Sequence, residues 1–148
     1  MKLLIILYLT ATSAFAQTDF LNKAEANRVN NYMDSICPDT YCGGDINFYP
    51  QGIVCEGSVC TADFRAFEYS ENTFNITNTK EAIGTKKTLK NTQIEYIDLE
   101  IEEDRPMVSF RCIMPNLTDV DMSISKKEQL IYDLIVWECI RDFETTTL

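Results

Sequence analysis

Hydrophobic and polar positions change rhythm several times along this chain, and each change marks an element. From Thr18 to Cys37, Leu21, Ala24, Arg28, Val29, Tyr32 and Ile36 recur at helical spacing. Asn22, Lys23, Asn27, Asn30, Asn31 and Asp34 fill the other side, which predicts an amphipathic first helix. Pro38 cannot continue it, and Asp39 to Asp45, with Gly43-Gly44, is predicted to be a tight connecting loop. The period then falls to two. Ile46 to Tyr49 is predicted to be a short strand entering a turn at Pro50-Gln51-Gly52, and Ile53 to Cys55 resumes an extended run. Glu56-Gly57-Ser58 reverses the chain, after which Cys60, Ala62, Phe64 and Ala66 alternate with Thr61, Asp63 and Arg65. That pattern predicts a hairpin with one buried face.

Residues 70–92 are rich in Asn, Thr and Lys, with Phe74 and Ile76 suggesting a short strand and Gly84 a break; a long connection of this kind is mobile or a binding loop. Two strands follow. In Gln93 to Glu103, Ile97, Leu99 and Ile101 alternate against Asp98, Glu100 and Glu102. In Met107 to Met114, Val108, Phe110, Cys112 and Met114 share a face, and the turn Glu103-Asp104-Arg105-Pro106 pairs the two strands antiparallel. Ser125-Lys126-Lys127-Glu128 has capping-box spacing and opens a helix whose apolar face is Leu130, Ile131, Leu134, Ile135, Trp137, Ile140 and Phe143. The predicted fold is α+β: an antiparallel sheet of about four to five strands, with the N-terminal and C-terminal helices on its apolar face.

The first sixteen residues follow a different logic. Lys2, the apolar run Leu3 to Leu9 and the small residues ending in Ala14-Phe15-Ala16 have the order of a cleavable secretory signal. The run falls short of the roughly 20 residues that span a bilayer. The expected product is one exported domain over residues 17–148, secreted or periplasmic, with no membrane insertion. The full chain has a formal charge of −10. Loss of Lys2 with the signal leaves 12 cations against 23 acids, or −11. Such a surface repels nucleic-acid phosphates and favours a basic protein as partner.

Cys37, Cys42, Cys55, Cys60, Cys112 and Cys139 in an exported chain are expected to form a disulfide framework. Cys55 and Cys60 flank a reversal, so they are expected to bridge across the hairpin. The other four allow Cys37–Cys42 with Cys112–Cys139, or crossed pairings. Cys37 ends a helix beside Asp34 and Asp39, an environment that does not activate a thiol, so a redox pair with Cys42 is disfavoured. The chain contains no histidine. Histidine-dependent nucleophile relays and histidine-ligated zinc are therefore excluded.

No cofactor or metal is called for: Asp39, Asp45 and Gly43-Gly44 could cup calcium, but they lack the EF-hand register and suit an ordinary turn. Asn75-Ile76-Thr77 and Asn116-Leu117-Thr118 match the N-glycosylation pattern. Tyr41, Phe48, Tyr49, Phe67 and Tyr69 could form an aromatic contact surface or ordinary packing. The candidate partner-binding patch is Asp98, Glu100, Glu102, Glu103 and Asp104. It also fits a solvated strand face guarded against edge pairing. The functional expectation is a non-enzymatic binding or inhibitory domain. A small secreted hydrolase using paired carboxylates is the alternative.

Overall fold

The computed structural model describes residues 18–36, 46–68, 76–102, 105–118 and 122–143. The expected signal segment, Cys37, Cys42, the stretch Asp39 to Asp45, Phe74 and Asn75 lie outside these residues. Helix α1 (Lys23–Ile36) precedes a hairpin of β1 (Ile46–Glu56) and β2 (Val59–Glu68). A short helix α2 (Ile76–Ala82) then leads into β3 (Lys86–Thr88), β4 (Gln93–Glu102) and β5 (Arg105–Met114). Helix α3 (Ile124–Leu134) runs on into a π-helical segment, Ile135–Ile140. The five strands form one sheet in the order β1-β2-β5-β4-β3, and every neighbouring pair is antiparallel.

One face of that sheet is the core. Cys60, Ala62, Phe64 and Ala66 of β2 stand opposite Met114, Cys112, Phe110 and Val108 of β5, and all eight are buried. The alternation of these strands puts these eight side chains on the same side, in one cluster with buried residues of α1 and α3. Phe143 stacks on Phe110 with ring centroids 4.5 Å apart and meets Phe48 edge-on at 5.5 Å. Two disulfides fasten the frame, Cys55–Cys60 across the β1–β2 hairpin and Cys112–Cys139 from β5 to the π-helical segment. The hairpin turn places Gly57 at φ 58°, in the position that a type II′ turn reserves for glycine. It is held from both sides: the Phe20 N–H donates to Gly57 O, and the Leu117 N–H donates to Ser58 O, each at 2.8 Å.

The hydrophobic pattern is offset in several places. Helix α1 begins with a reciprocal cap, in which Asn22 Oδ1 accepts from the Glu25 N–H and Glu25 Oε1 accepts from the Asn22 N–H. Its buried stripe is Ala26, Val29 and Met33, while Ala24, Arg28 and Tyr32 are exposed. The expected face is thus rotated, because Phe20 and Leu21 anchor the lead-in and leave Arg28 free to meet Glu128 of α3. Residues 76–88 form a helix and an edge strand where a connection with a strand at Ile76 was predicted. Thr79 faces inward and is 2% exposed, with Ala82 and Ile83 packed beside the core.

The predicted turn at Pro50-Gln51-Gly52 is a bulge inside one continuous strand, with Pro50 opposite Phe64 and Gly52 opposite Asp63. Helix α3 is capped by Ser123, whose hydroxyl accepts from the Lys126 N–H, two residues before the expected Ser125. Glu128 therefore turns to Arg28 instead of back to a cap.

Candidate interaction face

The opposite face of the sheet carries no helix among the described residues, and its side chains are set by strand register. Lys86 of β3 stands opposite Glu95 of β4, Glu95 opposite Arg111 of β5, and Arg111 opposite Asp63 of β2. Opposite charges alternate along this row, so each cross-strand neighbour is attractive. Arg111 Nε donates to Asp63 Oδ1 at 2.7 Å, and its Nη1 lies 3.8 Å from Glu95 Oε2. The hydrogen bond to Asp63 raises the Arg111 pKa above its usual value, and the Asp63 charge adds to the effect. This guanidinium stays charged and binds the middle of the face together.

Apolar side chains flank the charged row. Toward the hairpin, Val54 and Val59 are exposed. Toward the other end, Tyr49 meets Phe67 edge-on at 5.5 Å, and Met107, opposite Phe67 in register, is buried. Phe48 does not join this group; it is fully buried in the core. Tyr41 and Tyr69 lie outside the described residues.

Asp98 and Glu100 stand at this second end of β4, exposed and in register with Ser109 and Met107. Glu102 pairs in register with Arg105, while Glu103 and Asp104 lie outside the described residues. A bulge between Tyr96 and Asp98 determines which way these carboxylates face. Ile94 and Tyr96 point into the core, so an unbroken strand would also turn Asp98 inward. The extra residue, Ile97, absorbs the slip and is left 40% exposed, which removes it from the expected buried face. Leu99 is then partly buried, and Ile101 is exposed at the end of the strand. Asp98 Oδ1 accepts from the Leu99 N–H at 2.9 Å, and no described cation pairs with Asp98 or Glu100.

The paired-carboxylate alternative depends on where two acids converge. Glu138 and Asp142 line one cleft, one helical turn apart. Glu138 accepts from the Asn91 backbone N–H and side-chain amide, both at 2.8 Å, and from the Thr92 hydroxyl at 3.3 Å. Asp142 holds Lys87 at 2.9 Å, and this hydrogen bond keeps the Lys87 pKa above the usual 10.5. Both carboxylates thus fasten the β3–β4 region to the last helix. Among the described residues no cluster of three or more potential ligands could hold a metal ion, and no helix is long and apolar enough to cross a membrane.

Two features of this surface escaped the periodicity. The phase slip from Ile94 and Tyr96 to Ile97, Leu99 and Ile101 was present in the sequence as a bulge signal. Trp137, expected against the sheet, is 62% exposed. Ile135 and Cys139 face the sheet, the latter through its disulfide, so position 137 midway between them points away. No protein family, characterised protein or solved structure matches the chain.

Proposed function

We propose that this protein is an exported, non-enzymatic binding or inhibitory domain that engages a basic protein through the uncovered face of its sheet. The observation that carries the reading is the acidic end of that face, where Asp98 and Glu100 are exposed beside Ile97 and Ile101 and, among the described residues, have no cation partner. Carboxylates in that position supply orientation and steering, and the neighbouring apolar surface supplies burial. Two further facts support it. The disulfides make the sheet a rigid platform, and the two acids that share a cleft, Glu138 and Asp142, are already bonded to the fold.

The test is capture from the native extracellular or periplasmic milieu with the wild-type domain and with an Asp98→Lys/Glu100→Lys variant as bait. A basic protein held by the wild type should be released at about 1 M salt, where the screening length is about 3 Å. The charge-reversed variant should fail to capture it. Capture that survives both changes removes the acidic face from the interaction.

A further inference from the structure

We propose that the chain carries a second binding site, a shallow trough running from Trp137 across the β3–β4 turn to Asn116, and that its ligand is an acidic oligosaccharide. Trp137 is the only tryptophan. It projects from the π-helical segment, two residues before Cys139, whose disulfide pins that segment to β5. An indole left in water on a covalently braced turn offers a large, flat apolar surface that costs little conformational entropy to use.

Beside it lies a cleft of about 290 Å³, lined in part by Leu89, Lys90 and Arg141. Leu89 and Lys90 also border a hollow of about 560 Å³ whose far wall includes Asn116 and Thr118. Leu89 and Lys90 line both spaces, and the proposed trough runs through that shared edge. Its floor is fixed by the Glu138 bonds to Asn91 and Thr92 and by the Leu89 N–H donating to Thr92 O at 2.8 Å.

The chemistry of the lining selects the ligand. Asp142 is paired with Lys87, and Glu138 is held by three donors of the turn. Lys90 and Arg141 have no described carboxylate partner, so they are the charges left for a ligand and they call for an anion. The adjoining hollow, which Lys90 also lines, offers the hydroxyls and carboxamides of Thr88, Gln93, Asn116 and Thr118, groups that both donate and accept. A pyranose chain carrying carboxylates or sulfates meets all three demands. Its C–H face lies on the indole, its hydroxyls exchange hydrogen bonds with the amides, and its acidic groups reach Lys90 and Arg141. An acidic peptide would also pair with Lys90 and Arg141, but the flat exposed indole suits a pyranose face, and competition by poly-L-glutamate separates the two. The site meets β4 at its first residue, Gln93, whereas Asp98 and Glu100 lie toward the other end of that strand and line neither space, so the two surfaces are separate.

The single tryptophan makes the test direct. Its emission should change saturably when the disulfide-intact domain is titrated with a heparin-derived tetrasaccharide or an oligogalacturonate, and should not change with cellotetraose. Calorimetry should show binding weakened about tenfold or more in Lys90→Ala/Arg141→Ala, the loss expected when two charge-assisted contacts are removed. Trp137→Phe should also bind more weakly, while Asp98→Lys/Glu100→Lys should bind as the wild type does. Silence toward both acidic saccharides overturns the proposal, and so does full binding by the Lys90/Arg141 variant with its circular dichroism unchanged. An equal response to cellotetraose overturns the charge requirement. Equal competition by poly-L-glutamate overturns the saccharide assignment in favour of an acidic peptide.

Discussion

Phe143 sits among Phe110, Phe48 and Tyr96, with ring centroids 4.5, 5.5 and 6.1 Å away. Phe143→Ala removes a fully buried ring and leaves a cavity between helix and sheet. The expected cost is about 3–5 kcal/mol, read as a lower urea midpoint with the slope unchanged. Lys87 illustrates a smaller effect with a definite pH signature. Its folded pKa lies above 10.5, so the pair with Asp142 contributes its stability in full below that pH and loses it as pH rises through the folded value. The lysine is about half exposed, and solvent screening limits the pair to about 0.5 kcal/mol. Lys87→Met should lose that amount at neutral pH. In chemical denaturation at pH values above the raised folded pKa of Lys87, the gap from wild type should close.

The two disulfides close loops of different length. Cys55 and Cys60 are five residues apart and directly opposed in register, whereas Cys112 and Cys139 are 27 apart and join different layers. By loop-closure entropy, replacing the first pair with alanines should cost about 2 kcal/mol and the second about 3.5 kcal/mol. Thermal unfolding of the two double variants should therefore separate clearly, with the Cys112/Cys139 variant melting first. The β1–β2 hairpin was legible because strict alternation, a glycine turn and opposed cysteines all point to one register. The bulges were less legible. A single extra residue, Gln51 or Ile97, changes the facing of everything beyond it while barely altering the local composition. Helix α2 was hidden because its seven residues are mostly polar and, of the side chains described, Thr79 is buried and Ala82 packs against the core.

At the scale of the whole molecule, charge is sorted by the sheet. Arg111 ties Asp63 and Glu95 into the centre of the uncovered face, while Asp98 and Glu100 at one end of β4 have no described cation partner. Arg111→Gln should destabilise the domain by less than about 1 kcal/mol in equilibrium unfolding, since Arg111 and both its partners are partly exposed. Asp98→Lys/Glu100→Lys should leave stability within about 0.5 kcal/mol of wild type. Loss of partner capture in that variant would then report on binding and not on unfolding. The candidate patch was visible in sequence as a run of acids. Its orientation away from the core depends on the bulge at Ile97. Trp137 was misplaced for a related reason: a helical wheel counts an indole as core, but the Cys112–Cys139 bridge determines which side of the last helix meets the sheet.

The sequence by itself determined the α+β class, the antiparallel strands, the inward faces of β2 and β5 and the Cys55–Cys60 bridge, because each follows from local periodicity or from neighbours in one hairpin. Only the tertiary structure decided the strand order, the pairing of Cys112 with Cys139, the outward turn of Asp98 and the exposure of Trp137. Those depend on contacts between elements distant in sequence, where a shift of one residue in a strand or half a turn in a helix reverses which side chains meet water.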